Sequence, residues 1–252
     1  MHDGVLFTIS DKNDDTIYRI ELTDDTASAV PHLTFIPPTL PSGRRLDFEG
    51  LTCDASGNFL LVSEAGFRVL FVNAKGDSVA WLTPSVKSAG EAQGLFQTPN
   101  GYLEGIAMAD SSTLVLAAER EPRGLVEIDM SGDPAVFSAF TYDETRLPVQ
   151  EGRNIDFAGL HFENGTSWAL NRNADCISRI EYGGAQLVER EFWSFAETIR
   201  DSEFSYSDMD FGMAEGIYMD AGRIFVVLDN NRIARKNNPD DRRPLFLILA
   251  RP

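Results

Sequence analysis

The chain has 252 residues, of which 43% are hydrophobic and 24% are charged, which is enough apolar material for a packed core. Its 22 Lys and Arg against 39 Asp and Glu leave a formal net charge of −17. This balance argues against nucleic acid as a partner, because such binding is driven by basic side chains. No apolar stretch approaches the roughly 20 residues that span a bilayer, so we also expect no membrane insertion.

Short strands are predicted at the start of the chain. An apolar run, Val5–Ile9, ends at Asp11, and alternating apolar and polar residues follow in Thr16–Leu22. A third strand, Ala29–Ile36, ends at two consecutive prolines. Residues 1–4 contain neither a basic segment nor an apolar run, so we expect no export signal in the chain.

An acidic–Gly–aliphatic phrase then recurs along the rest of the chain. The steps from Glu49 to Glu104, to Ala158 and to Glu215 are 55, 54 and 57 residues. The third copy has lost its acid. The four copies are Glu49-Gly50-Leu51, Glu104-Gly105-Ile106, Ala158-Gly159-Leu160 and Glu215-Gly216-Ile217.

A second polar or charged residue follows each phrase after a turn and an apolar run. It comes 15, 15, 14 and 14 residues after the first position of the phrase. Asp11 holds the same place after the first apolar run. The residues at these second positions are Asp11, Glu64, Glu119, Arg172 and Asp229.

A period of this length, built from short strands, is typical of β-propellers, in which each repeat forms one four-stranded sheet. We therefore predict an all-β fold, a five-bladed propeller of antiparallel sheets, in a single domain over residues 1–252. The first unit lacks its inner strand and the last lacks its outer one. We expect the two termini to share a blade and so to close the ring, which removes exposed strand edges. The repeats cover approximately residues 1–46, 47–102, 103–155, 156–213 and 214–252.

The alternation of strands predicts where the polar residues meet. The first acid starts one strand and the second group ends the next, antiparallel strand, so both lie at the same end of a hairpin. Around a ring these positions converge on one mouth of the central channel. One predicted ring contains Glu49, Glu104, Ala158 and Glu215, and the other contains Asp11, Glu64, Glu119, Arg172 and Asp229.

Carboxylates gathered around one axis repel one another unless something neutralises them. A hard divalent cation with oxygen ligands does so, and calcium accepts such ligands in irregular geometry. We predict that Glu49, Glu104 and Glu215 hold Ca²⁺ or another divalent ion. In the alternative interpretation, each glutamate accepts backbone N–H bonds from a neighbouring blade and latches the blades together. The two interpretations are compatible.

Arg172 stands where the other repeats have an acid. As a functional residue it is a candidate clamp for a small anion, since a guanidinium matches phosphate or carboxylate with two parallel bonds. As a structural residue it forms an ion pair with Glu119, Asp156 or Asp229. No catalytic residue is assigned from the sequence.

The remaining chemical signals are weak. His161 has no partner at a recognisable spacing and is more typical of an ordinary strand residue than of a general base. Ser63 is not in a Gly-x-Ser-x-Gly elbow, which argues against a serine hydrolase. Cys53 and Cys176 lie at non-equivalent points of their repeats, so we expect two free thiols.

The order and register of these motifs resemble the phytase-like esterase family across nearly the whole chain. That resemblance implies a bacterial, secreted or periplasmic β-propeller, often calcium-bound, with phosphoesterase or esterase activity. The motifs that carry it are Leu46–Leu51, Leu61–Glu64, Asn100–Ile106, Ala118-Glu119, Leu170–Arg172, Glu215–Ile217 and Leu228–Asn230.

Three functions are compatible with these observations. The first is a metal-dependent phosphoester or ester hydrolase that works at the channel mouth, with calcium on the glutamates and an anion on Arg172. The second is a non-catalytic propeller with a structural metal that binds a ligand or a protein partner. The third is a metal-dependent lactonase similar to the gluconolactonase propellers, which also place a Glu-Gly phrase at a metal.

Overall fold

The computed structural model describes residues 1–142, 144–183, 186–209 and 212–252. In these ranges the chain forms five antiparallel sheets, one in each predicted repeat. Three sheets have four strands, and the first and last have three. The prediction of a five-bladed, all-β propeller is confirmed.

Each blade is a meander in which strands that follow one another along the chain are paired. The first blade contains β1 (Leu6–Ser10), β2 (Asn13–Leu22) and β3 (Ala27–Thr34). The second contains β4 (Phe48–Cys53), β5 (Phe59–Ser63), β6 (Arg68–Val72) and β7 (Val79–Trp81). The third contains β8 (Leu103–Met108), β9 (Thr113–Ala118), β10 (Gly124–Asp129) and β11 (Val136–Thr141).

The last two blades follow the same plan. The fourth contains β12 (Gly159–Glu163), β13 (Thr166–Asn171), β14 (Cys176–Gly183) and β15 (Gln186–Ser194). The fifth contains β16 (Ala214–Met219), β17 (Arg223–Leu228) and β18 (Phe246–Ala250).

Helices are confined to the connections between strands. The α-helices are α1 (Lys87–Ala92) and α2 (Ala196–Arg200), and a 3-10 turn, Arg172–Ala174, follows β13. Across the described ranges no helix combines the length and apolar character needed to cross a membrane.

The hydrophobic core lies between successive blades. Leu61 packs in the cluster between the first and second blades, whereas the next residue, Val62, packs in the cluster between the second and third. Consecutive strand residues point to opposite faces of the sheet. A blade with a neighbour on each side therefore buries both of its faces. This explains why β5 is buried along its whole length and reads as a continuous apolar run rather than as an alternating one.

Four strands, β4, β8, β12 and β16, run along the central channel from one mouth to the other. Residues near their starts border a cavity of about 840 Å³, and residues nearer their ends border a second cavity of about 220 Å³ at the far end. The inner strands approach one another closely. A Cβ at Gly105 would lie 2.9 Å from the Cα of Gly159, which explains the glycine in the repeated phrase.

The ring does not close as we expected. In the described sheets β1 pairs only with β2, and β18 pairs only with β17, so the first and last blades are separate. The prediction that the termini share a blade is therefore wrong. The physical reason is that β18 lies on the outer side of β17, away from β1, and the 840 Å³ cavity separates the two blades.

The first blade does lack its inner strand, as predicted. Leu6 and Phe7 border the far cavity together with Leu51, whereas Asp11 and Lys12 border only the mouth. β1 therefore runs toward the mouth, antiparallel to the four inner strands. That is the direction of the second strand of a blade.

Candidate functional site

The three glutamates of the repeated phrase each occupy a β-bulge. In the second blade Phe48 pairs with Ser63 and Gly50 pairs with Val62, which leaves Glu49 as the extra residue. The pairing shifts in the same way around Glu104 and around Glu215. A bulge re-aims a side chain at the end of a strand, and all three glutamates border the mouth cavity.

The pKa values of these glutamates reflect burial and the closeness of other carboxylates. Burial, followed by the charges of Asp47, Glu64 and Glu215, raises the pKa of Glu49 to about 8. Burial also raises the pKa of Glu104 well above its usual value, although the nearby Arg172 opposes that shift. Neighbouring carboxylates thus favour protonation wherever a cation does not balance them.

The second predicted ring divides into two groups. Asp11, Arg172 and Asp229 border the mouth cavity. Glu64 and Glu119 lie outside its lining and are buried, with 8% and 1% of their surfaces exposed. Fold topology therefore brings all five residues to the same end of the propeller, but only three reach the cavity.

Arg172 is the centre of a buried charge network that joins three blades. Its Nη1 donates to both carboxylate oxygens of Glu215, at 2.8 and 2.9 Å, and its Nε donates to Asp156 Oδ2 at 3.0 Å. Its Nη2 donates to Glu119. The ion pairs with Glu119 and Asp156 are thus confirmed, whereas Asp229 is exposed and accepts the N–H of Asn231 at 2.8 Å.

The network also favours the charged form of Arg172. Burial alone would lower the pKa of the guanidinium, but the carboxylates of Glu215, Asp156 and Glu104 outweigh burial and raise it above its usual value. All three guanidinium nitrogens donate to carboxylates of this chain. The role of Arg172 as an anion clamp therefore stays a prediction.

A compact carboxylate group lies on the second blade. Ligand oxygens of Asp47, Glu49 and Glu64 all fall within 4.8 Å of one another. Sequence reasoning missed Asp47 because it lies outside the repeated phrase. Its left-handed backbone, at φ 57°, is a feature of the fold, and its carbonyl accepts the N–H of Glu64 at 2.9 Å.

Glu64 also provides the blade-to-blade latch considered for the glutamates. Its Oε1 accepts the N–H of Tyr102, at the entrance to the third blade, at 2.9 Å. Burial raises the pKa of Glu64 despite this bond. The latch therefore lies in the second predicted ring, where Glu64 of the second blade accepts a hydrogen bond from the third blade.

Comparison with known proteins identifies a family to which most of the chain matches. The model of the family described as "Phytase-like: Esterase-like activity of phytase" matches residues 1–232. The chain belongs to this phytase-like family. No curated protein matches it.

Several solved structures resemble the phytase-like chain. Virginiamycin B lyase from Staphylococcus aureus, an inactive H270A variant with quinupristin, is 14% identical, with a TM-score of 0.48 over 99% of this chain and 67% of that one. A streptogramin B lyase is 11% identical, with a TM-score of 0.49 and coverages of 99% and 66%. Glutaminyl cyclase from Myxococcus xanthus is 14% identical, with a TM-score of 0.42 and coverages of 76% and 67%.

The phytase-like chain thus spans about two thirds of the length of these three structures. At such low identities and TM-scores we transfer no activity from them to this chain.

Basic side chains border the other side of the mouth of this phytase-like propeller. Lys12 follows β1, and Arg232 and Arg242 belong to the loop between β17 and β18. All three are exposed. Arg242 Nη1 donates to the carbonyl of Arg232 at 2.7 Å. Sequence reasoning missed them because this loop carries no repeated motif.

The far end of the channel has a different character. His161 packs edge-on against Tyr218, with ring centroids 5.1 Å apart. Its Nε2 is buried with no hydrogen-bond partner among the described residues, and Glu163 Oε2 lies 3.9 Å away. Burial lowers the pKa of His161 to about 4. Cys53 also borders this far cavity, and both it and Cys176 are free thiols.

Proposed function

We propose that this chain is a calcium-dependent hydrolase of phosphoesters or esters that works in the mouth cavity. The observation that carries the proposal is the group of Asp47, Glu49 and Glu64, whose crowding raises the pKa of Glu49 to about 8 beside an 840 Å³ cavity. From the family resemblance we also propose that it works in the periplasm or outside the cell.

The residues present fit a calcium ion. Asp47, Glu49 and Glu64 offer carboxylate oxygens close enough to share one cation, which is the donor set that calcium prefers. The like charges that raise the pKa of Glu49 are the ones that a divalent cation would neutralise. Glu104 and Glu215 border the same cavity. A bound cation of this kind polarises a substrate oxygen and activates water.

The chain's own charges would orient the substrate. Arg172 fixes the carboxylates of Glu215 and Asp156 and so keeps the acidic wall rigid. Because the nitrogens of Arg172 already donate to carboxylates, we assign recognition of an anionic substrate group to Arg232 and Arg242. Their exposed guanidinium groups suit phosphate or carboxylate.

Turnover assays with and without calcium test this function. We expect hydrolysis of p-nitrophenyl phosphate, phytate or a short acyl ester that requires calcium. Glu49→Gln should reduce it by about 10–100-fold at limiting calcium, through weaker metal binding. Glu91→Gln, an exposed change on α1, is the matched control and should have no effect. Absence of turnover on all three substrates would falsify the proposal.

The same assays separate the other two functions. Binding of calcium without any turnover would favour a non-catalytic propeller with a structural metal. Hydrolysis of a lactone in response to divalent metal, with no turnover of the other substrates, would favour a lactonase. If Arg242 recognises the anion, Arg242→Ala should raise KM for phosphate substrates and leave kcat unchanged, with no effect on neutral acyl esters.

A further inference from the structure

The loop between β17 and β18 carries two arginines that no carboxylate pairs with in the described part of the chain. The other four arginines of the fifth blade each pair with a carboxylate: Arg223, Arg235, Arg243 and Arg251. Arg232 and Arg242 form no such pair among the described residues, and both border the mouth cavity. They are therefore the two arginines of this blade that are available to an anion.

A single buried amide holds these two arginines together. Asn230 Nδ2 donates to the carbonyl of Ile233, the residue after Arg232, at 2.7 Å. It also donates to the carbonyl of Arg242 at 2.9 Å, and the carbonyl of Arg243 lies at 3.5 Å. Only 3% of the surface of Asn230 is exposed. Because an amide nitrogen has two hydrogens to donate, the two short bonds use both of them and join the two ends of the loop at one atom.

The backbone beside Asn230 is strained. Asn231 and Arg232 both have left-handed backbones, at φ 47° and φ 62°, which residues other than glycine rarely adopt. Asp229 Oδ1 accepts the N–H of Asn231 at 2.8 Å. The carbonyl of Asn230 accepts the N–H of Ile233 at 2.7 Å. Strain of this kind persists only where surrounding contacts hold it, so we attribute the position of Arg232 to the contacts around Asn230 rather than to its own backbone preference.

Arg242 is held in the same way. Its carbonyl is bound by Asn230, and its Nη1 donates to the carbonyl of Arg232 at 2.7 Å. The next carbonyl, of Arg243, accepts the hydroxyl of Tyr206 at 2.9 Å. Tyr206 is buried and belongs to the connection from the fourth blade. The loop is thus anchored from inside by Asn230 and from the fourth blade by Tyr206.

We propose that Asn230 is a positioning residue for anion recognition at the mouth. Its amide fixes the backbone of Arg232 and Arg242 side by side, so that both guanidinium groups reach one anion. Without that amide the two arginines keep their charge but lose their fixed spacing, and a site held less precisely binds less well. The inference rests on the anion site of the proposed function, and it adds a residue that acts through the arginines without contacting the substrate.

Binding of inorganic phosphate, measured by calorimetry, tests the inference without any need for turnover. The titration is done in EDTA, so that bound phosphate reports on the arginines and not on a metal. Asn230→Ser removes the amide and should raise the Kd for phosphate by at least about tenfold, as Arg242→Ala should. Tyr206→Phe removes only the outer anchor and should raise it by about threefold. Circular dichroism checks folding, and Tyr206→Phe carries the test if Asn230→Ser does not fold.

Asn58→Ser is the matched control. The amide of Asn58 donates to Asp54 Oδ2 at 2.8 Å in the turn between β4 and β5, at the far end of the channel. Its loss should leave the Kd for phosphate unchanged. Calcium affinity should be the same in all of these variants, because none of them alters Asp47, Glu49 or Glu64. In turnover assays Asn230→Ser should raise KM for p-nitrophenyl phosphate, with kcat unchanged and no effect on neutral acyl esters.

The outcomes separate this inference from the proposed function. If Arg242→Ala weakens phosphate binding but Asn230→Ser does not, the inference is wrong and the anion site stands. An equal loss in Asn58→Ser would also overturn it, since reduced stability alone would then explain the effect. If the wild type binds no phosphate, both the inference and the anion site are wrong. Weaker binding by Asn230→Ser in a protein without any turnover would support the inference and count against the hydrolase activity alone.

Discussion

The two ends of the channel are built by the same four strands, yet they have opposite chemistry. At the mouth, the phrases place Glu49, Glu104 and Glu215 beside a cavity of about 840 Å³. At the far end, the same strands finish in mostly apolar residues around a cavity of about 220 Å³, where His161 is the titratable side chain with the largest lowering of its pKa. Burial favours the neutral form at both ends.

The two ends differ in the charge interactions that shift pKa values in addition to burial. At the mouth, like charges raise the pKa of Glu49 further, and Arg172 balances only part of the acidic wall. At the far end, burial is the largest cause of the shift of the His161 pKa, and the nearby charges oppose one another, because Glu163 raises the pKa whereas the N-terminus and Arg251 lower it. The mouth therefore gathers carboxylates that Arg172 balances only in part, an arrangement that occurs in binding sites and in structural ion networks alike, whereas the far end is explained mainly by burial.

The largest effect on this contrast should come from removing Arg172, the buried guanidinium at the mouth. We expect Arg172→Met to destabilise the protein by about 3–5 kcal/mol, because buried Asp156 loses the guanidinium it pairs with and buried Glu119 keeps only its pair with Arg120. Urea denaturation measures the change. Arg223→Met is the control, since its pair with Asp220 is exposed and should be worth no more than about 1 kcal/mol. Equal losses in the two variants would show that the network contributes little.

Calcium should have the next largest effect, and it should act at the mouth. At 100 times its dissociation constant, calcium should stabilise the wild type by about 2.7 kcal/mol. Thermal melts in calcium and in EDTA measure this. A melting temperature that is the same in both buffers would exclude the cation site. Glu104→Gln should gain less from calcium, because it removes a charge beside the site.

In EDTA the same variant distinguishes the cation site from a latch. The pKa of Glu104 is raised in the folded state from 4.5, so the metal-free wild type loses stability as the pH rises above that value. Glu104→Gln removes this loss and should be the more stable protein at neutral pH. If Glu104 instead latches two blades, the variant should lose about 1 kcal/mol in either buffer.

The smallest effect should come from the far end. The pKa of His161 falls from 6.5 to about 4 on folding, so the unfolded chain binds a proton first as the pH drops. The stability that neutral His161 provides is present above pH 6.5 and is lost as the pH falls toward 4. His161→Phe keeps the contact with Tyr218 but cannot titrate.

We therefore expect the stability of His161→Phe, relative to the wild type, to rise by about 1–2 kcal/mol between pH 7 and pH 5. Urea denaturation at the two pH values measures the difference. A constant difference would mean that His161 titrates normally, and the contrast between the two ends would then rest on the mouth alone.

Much of the mouth could be predicted from spacing. A constant interval implies equivalent positions in successive blades, so Glu49, Glu104 and Glu215 had to meet near one axis. The ion pairs of Arg172 with Asp156 and Glu119 were also foreseen. A latch was expected at the glutamates of the repeated phrase, whereas the structure shows one at Glu64. Asp47 was not, because its approach to Glu49 and Glu64 depends on a left-handed backbone position that no repeat marks.

The closure of the ring could not be predicted either. Whether the first and last blades share a sheet depends on where β18 lies relative to β17 and on how far blade twist carries β1 from the fifth blade. Neither is encoded in a local motif. The structure places the 840 Å³ cavity there, with Arg232 and Arg242 on its rim, and these residues come from a loop whose position is set by the strands around it.

The sequence by itself determined the all-β class, the number of blades and the end of the propeller at which the acids collect. These features follow from local patterns, the period of two along a strand and the repeat of about 55 residues. Only the tertiary structure decided which carboxylates Arg172 pairs with, which other carboxylates lie close together at the mouth, and that the first blade keeps an open edge. Those outcomes depend on distances between residues far apart in the chain, because ion pairs and strand pairing join residues that are distant in sequence.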